Sequence, residues 1–301
     1  MTAVRIASDM QNADNKKFID IDEVFRSKNP GLYRILPRFI INYLKKITHQ
    51  EEINDFINRH GHKQEFDFVA AIVEEFGAKI EVSGLENLPE SGGCIVASNH
   101  PLGGLDAMSL VHVAAARRKD IRFVVNDILL QLKNLQGIFV GVNKHGKNSQ
   151  QVFSGLDAVY ASGGCTMIFP AGLVSRKRNG VIKDLEWKKS FITKARKHEL
   201  PVVPVYIGGR NSGFFYNLSN FRSRLGIKAN IEMLYLADEM YRQKNRTITI
   251  IFGRPIPYTM FETSYTDRDW AVLVKEHVYN LEKHGPLITF NKAPQPHATH
   301  H

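Results

Sequence analysis

The chain has 301 residues, 43% of them hydrophobic, and two cysteines, which excludes a disordered chain or a disulfide-stapled scaffold and allows one large core or two small ones. Its 40 Lys and Arg against 30 Asp and Glu give a formal charge of +10, favouring an anionic partner such as nucleic acid, anionic lipid or an acidic carrier protein. No run approaches the roughly 18 apolar residues of a spanning helix, so any membrane contact is expected to be peripheral.

In chain order, residues 1–17 are polar and carry no hydrophobic signal region. Residues 31–47 predict a helix with Leu32, Ile35, Leu36, Phe39, Ile40, Tyr43 and Leu44 on one face, and Pro37 marks a kink or the true start. Arg34, Arg38, Lys45 and Lys46 flank that face, the pattern of a helix lying in a membrane interface; a helix packed on its own domain is the alternative. Glu65–Phe76 predicts a second helix, so residues 1–77 read as a tail and helical segment with membrane docking in view. From residue 78 strand-like runs alternate with helical ones. The strands are Lys79–Val82, Gly93–Ala97, Arg122–Val125, Ile138–Val142, Cys165–Phe169, Val202–Ile207, Ile231–Leu236 and Thr247–Phe252. The helices are Ala107–Arg117, Ser149–Ser162, Lys188–Lys197 and Asp269–Lys283. This alternation predicts an α/β domain over 78–290, a mixed, mostly parallel sheet flanked by helices. Cys94 and Cys165 fall in apolar runs and read as core residues in a reducing compartment. Residues 291–301, rich in Pro and His, read as a disordered tail.

Four stretches carry the chemistry. The first is Ser98-Asn99-His100-Pro101-Leu102-Gly103-Gly104-Leu105-Asp106, between a predicted strand and a predicted helix. A histidine just past a strand's carboxyl end, held by a carboxylate, is a general base, and Asn99, Gly103 and Gly104 make a loop that substrate can approach closely. Asp106 could instead cap the helix, or do both. The second stretch, Gly137 to Lys144, ends a strand in Asn143-Lys144, where Lys144 reads as a phosphate contact or a surface lysine. The third runs from Phe169-Pro170-Ala171-Gly172 to Arg176-Lys177-Arg178, an anion-binding loop or a solvated basic turn. The fourth is the Val203-Pro204-Val205 strand followed by Gly208-Gly209-Arg210-Asn211-Ser212, a head-group loop or a plain one. There is no Gly-x-Ser-x-Gly elbow, no Walker-type loop and no zinc-ligand spacing; His60 and His62 read as a helix junction. No nucleic-acid recognition signature is present.

These stretches resemble the blocks of the glycerolipid (lysophospholipid) acyltransferase family over about residues 78–255. The family's blocks are Asn-His, four residues and Asp; Phe-Pro-Glu-Gly; and a Val-Pro strand. The closest likeness is to the bacterial branch of hemolysin-like and amino-acid-lipid acyltransferases. Two departures stand out: five residues separate His100 from Asp106, and Ala171, Leu173 and Val174 replace the third block's Glu, Thr and Arg. The second argues against a strict lysophosphatidate acceptor.

The resemblance implies an acyltransferase fold and a peripheral enzyme on the cytoplasmic face of the membrane. It would move a fatty acyl group from an acyl carrier protein or coenzyme A thioester to a lysolipid hydroxyl, with no cofactor beyond that co-substrate. It makes His100 the base and Asp106 its orienting partner. Arg176 and Lys144 would hold an anionic acceptor group, and Asn99, Gly103, Gly104, Phe169, Pro170, Gly172 and Arg210 complete the expected substrate site. The expected partners are the lipid acceptor, the thioester donor and an anionic membrane surface, not nucleic acid. Alternatives are N-acylation to an amino-acid lipid, thioester hydrolysis, and a non-catalytic basic lipid-binding protein.

Overall fold

The computed structural model describes residues 17–141 and 149–291. One compact unit comprises the N-terminal residues through His62 together with Met233–Asp238. Its helices are α1 (Ile21–Lys28), α2 (Pro30–Ile35), α3 (Arg38–Ile47) and α4 (Gln50–His60). Asp20 caps α1 at Glu23 N and Asn29 caps α2 at Leu32 N. The helix expected over 31–47 is two helices. Leu36 is extended at ψ 124° because a residue before proline disfavours the α region, and Pro37 then becomes the start of α3. Asn54 holds both backbone groups of Ile19, accepting its N–H at 2.9 Å and donating to its carbonyl at 2.8 Å. Ile35 (76%) and Phe39 (71%) are largely exposed, joined by Leu32 and Tyr43. Among the described residues no helix is long and apolar enough to cross a membrane.

The second unit spans Lys63–Glu232 and the chain from Glu239 onward. It starts with α5 (Glu65–Glu75), continues through β1 (Lys79–Ser83), β2 (Cys94–Ser98), α6 (Gly104–Ala114), β3 (Ile121–Val125) and β4 (Phe139–Gly141), then α7 (Ser149–Ala161) and β5 (Cys165–Ile168). A hairpin of β6 (Arg176–Arg178) and β7 (Val181–Lys183) follows, then α8 (Ser190–Lys197), β8 (Val202–Ile207) and α9 (Gly213–Arg224). Last come α10 (Leu236–Tyr241), whose first residues belong to the other unit, β9 (Thr247–Phe252) and α11 (Asp267–His284).

Seven strands form one sheet in the order β1-β9-β8-β2-β5-β3-β4. Every neighbouring pair is parallel except β8 and β9, which is the mixed, mostly parallel α/β architecture the sequence predicts. β2 and β8 are buried at every residue, as strands covered on both faces must be. Cys94 and Cys165 sit opposite each other in the β2–β5 register, both buried. Trp187, Phe191 and Trp270 anchor a core against Ile95, Val202 and Val274.

One expected strand is absent. Residues 231–236 form a 3-10 turn leading into α10. Glu232, which an alternating pattern would turn outward, is fully buried between Arg176 and Arg222, and Leu, Met and Tyr around it have no need of an extended backbone.

Candidate active site

Because β8, β2 and β5 are parallel neighbours, their carboxyl ends open on one edge. The Asn99–Gly103 loop leaves β2 there. Gly103 has φ +97°, a conformation closed to most side chains. That turn absorbs the fifth residue between His100 and Asp106 and brings the third residue of α6 back over the loop. Asp106 Oδ2 lies 2.9 Å from His100 Nδ1 and also accepts the N–H groups of Leu102 (2.9 Å) and Gly103 (3.2 Å); Oδ1 accepts Ala107 N–H. Asp106 thus both caps α6 and holds the histidine. It is an acceptor on every side, so Nδ1 carries the ring proton and Nε2 the lone pair.

The ring stacks on Phe169 at a centroid distance of 4.0 Å. Burial works against the charged imidazole, but the charge and hydrogen bond of Asp106, helped by Asp184, outweigh it and raise the pKa above the ordinary histidine value. The side chain keeps 16% of its surface open.

The backbone of His100 is held as firmly as its ring. Its carbonyl accepts Ser175 N–H at 2.8 Å, and its N–H donates to Asp184 Oδ1 at 3.2 Å. Asp184 also accepts Ser175 Oγ–H at 2.6 Å and the Trp187 indole at 2.9 Å. Burial pushes the Asp184 carboxyl up against these bonds. A cavity of about 320 Å³ opens beside the loop, lined by Asn99, Pro101, Ser175, Tyr206, Arg210 and Tyr279.

A family model described as Acyltransferase matches residues 23–285. The chain belongs to this acyltransferase family. The lyso-glycine lipid O-acyltransferase of Bacteroides thetaiotaomicron is 47% identical over 270 residues, covering 89% of this chain and 99% of that protein. A protein of the same name from Phocaeicola vulgatus is 44% identical, covering 89% of this chain and 96% of the relative. The crystal structure of the 1-acyl-sn-glycerophosphate (LPA) acyltransferase PlsC from Thermotoga maritima aligns at 17% identity with a TM-score of 0.45, over 81% of this chain and 92% of that one.

Within this acyltransferase, His100, Asp106, Gly103 and Phe169 come together. Pro170 and Gly172 form the turn that presents Phe169, closed by Gly172 N–H on the Phe169 carbonyl. Gly104 faces Met240 Sδ, which a Cβ there would meet at 3.1 Å. Two expectations change. Asn99, expected to touch substrate, spends its amide on Ile207, donating to the carbonyl (2.8 Å) and accepting the N–H (2.7 Å), and is 2% exposed. It anchors the loop to β8. Arg176, expected to fork an anionic head group, lies inside, donating to Glu232 at 2.9 Å with 5% of its side chain exposed. Its side chain points inward because β6 alternates; the neighbour Lys177 lines a cavity instead. Lys144 lies outside the described residues. Arg210 stands where the 320 Å³ cavity meets a larger one.

Sequence reasoning missed Asp184 and Ser175. The available signal was Asn179-Gly180, a two-residue hairpin turn with both residues at positive φ, which pairs Arg176 with Lys183 and carries Ser175 and Asp184 to the same end.

Proposed function

We propose that this acyltransferase transfers a fatty acyl group from a thioester of acyl carrier protein or coenzyme A to the hydroxyl of a lysolipid with an amino-acid headgroup. The observation that supports the mechanism is the His100–Asp106 pair, in which Asp106 accepts the hydrogen bond of the Nδ1 proton and leaves Nε2 with the lone pair. The two relatives named lyso-glycine lipid O-acyltransferase supply the acceptor class. In this reading His100 takes the acceptor's proton as its oxygen attacks the thioester carbonyl. The tetrahedral adduct then expels the thiolate, which receives that proton from the imidazolium. Asp106 fixes the tautomer and balances the imidazolium charge. The carbonyl arrives activated as a thioester, so the reading requires no metal or redox cofactor.

The acceptor and product are membrane lipids. The apolar residues Leu32, Ile35, Phe39 and Tyr43, beside Arg34 and Arg38, support peripheral docking through the α2–α3 surface. The cytoplasmic face is the side on which both thioester donors occur, and it completes the reading.

The test is thiol release by purified protein, with and without an N-(3-hydroxyacyl)glycine acceptor. Acceptor-dependent release, an ester product cleaved by mild base, and loss of roughly 100- to 10,000-fold on His100→Ala are expected. Release without acceptor would make the protein a thioesterase, a base-stable product an N-acyltransferase, and full activity in His100→Ala would end the general-base mechanism.

A further inference from the structure

A cavity of about 460 Å³ shares Arg210 and Ile182 with the one lined by Asn99 and Pro101, the residues on either side of His100. Two contacts place its walls against the His100–Asp106 loop. Gly209, just before it, lies so close to Leu102 that a Cβ would come within 2.8 Å of Leu102 Cδ2. Met240, next to the wall residue Glu239, lies against Gly104.

The floor holds a polar group with nothing to bind. Asn211 is 3% exposed, and neither its Nδ2 nor its Oδ1 has a hydrogen-bond partner. A buried amide left unpaired is costly, and such groups in native proteins call for a reason. Beside it Tyr216, 2% exposed, accepts the Asn211 backbone N–H at 3.0 Å through its hydroxyl oxygen, which leaves the hydroxyl proton to donate elsewhere. Burial pushes that phenol's pKa up, so it remains a donor. Lys177, Arg210, Arg242 and Arg246 line the same cavity. The one carboxylate among the described lining residues, Glu239, is already engaged by the Ser212 N–H at 2.6 Å and by the Ser212 hydroxyl. The start of α9 is therefore satisfied by Glu239 and is not itself the binder. Lys177, Arg210 and Arg246, against one committed carboxylate and beside two buried polar groups, make a seat for a small oxyanion.

We infer that this cavity holds the ionised headgroup of the acceptor, a carboxylate or phosphate monoester hydrogen-bonded by Asn211 and Tyr216 and neutralised by the arginines. The inference rests on the proposed lysolipid O-acylation. An anchor on walls that touch the catalytic loop fixes how far the acceptor hydroxyl can stray from Nε2, which is how remote binding energy lowers a barrier. The other source of such an oxyanion is the phosphate of the donor's phosphopantetheine arm.

The experiment compares N-(3-hydroxypalmitoyl)glycine with its methyl ester, which keeps the hydroxyl and removes the charge. Arg210→Gln combined with Arg246→Gln should raise KM for the acid roughly tenfold or more. It should leave KM for the donor unchanged and raise KM for the ester by much less. An equal effect on acid and ester, or a rise confined to the donor's KM, would overturn the assignment; the latter would seat the donor's phosphate here. Asn211→Leu keeps the branched shape of the side chain and removes both unpaired atoms, so it should raise the acid's KM. A lower Tm with unchanged KM would make Asn211 structural and also overturn it. Calorimetry with N-hexanoylglycine separates this inference from the reaction beneath it. Binding by the parent protein and not by the double variant, in the absence of any turnover, would keep the seat and reject the O-acylation. Equal binding by both proteins, or by neither, would reject the seat.

Discussion

His100 is raised above the ordinary histidine value against its own burial, and Asp106 is the chief reason. In its proposed role of general base His100 works when neutral, so the acidic limb of the rate should lie above pH of about 6.5. Asp106→Asn removes the charge that holds the proton. The limb should move to lower pH while the plateau falls by roughly a thousandfold or more, because the amide no longer enforces the tautomer. A pH–rate profile of the two proteins checks both parts, and an unmoved limb would remove Asp106 from the pair. Arg176 acts at the same scale in a different way. It and Arg222 neutralise a fully buried Glu232. Arg176→Ala leaves half of that arrangement, so a loss of about 3 kcal/mol in chemical denaturation is expected, with acceptor KM unchanged in whatever remains folded. A KM effect without destabilisation would return Arg176 to the head group.

At the scale of elements, α11 carries a titration that the reaction does not use. His277 is buried, its Nε2 has no partner, and its edge meets Phe290. Burial lowers its pKa from 6.5 to about 4. The unfolded chain takes up this proton below pH 6.5 and the native one only near 4, so the contribution is intact above 6.5 and is lost as pH falls between those values. The gap of 6.5 to about 4 corresponds to about 3 kcal/mol. His277→Leu should flatten the decline of Tm across that window; an unchanged slope would place the acid sensitivity elsewhere. The same scale shows what was legible in the sequence. Buried parallel strands announce themselves as unbroken apolar runs, so β2, β5 and β8 and the loop after β2 could be read directly. Residues 231–236 could not, because short apolar alternation is shared by strands and by helices that bury a charged pair. The roles of Asn99 and Arg176 were illegible for another reason: residue type fixes what a side chain can bond, while partners 108 and 56 positions away decide what it does bond.

For the whole molecule, an excess of ten positive charges meets exposed apolar groups on α2 and α3. Binding to anionic vesicles should fall steeply with salt, since basic residues near anionic lipid contribute roughly 1 kcal/mol each. Lys45 and Arg38 both pair with Asp22, so Arg34 and Lys46 are the residues to neutralise, with Ile35→Glu and Phe39→Glu testing the apolar part. Sedimentation with vesicles of phosphatidylglycerol decides the matter, and unchanged binding by both sets of variants would move the docking surface off α2 and α3. The Asn99 amide has a further consequence. By giving to and taking from Ile207 it adds one more rung to the β2–β8 ladder, built from a side chain where the strand has ended. In hydrogen-exchange terms the His100 loop then belongs to the foldon of the central sheet. The amide protons of Ile207 and His100 should exchange at the rate of global unfolding, whereas Asn99→Ala should release them to local openings of the loop alone.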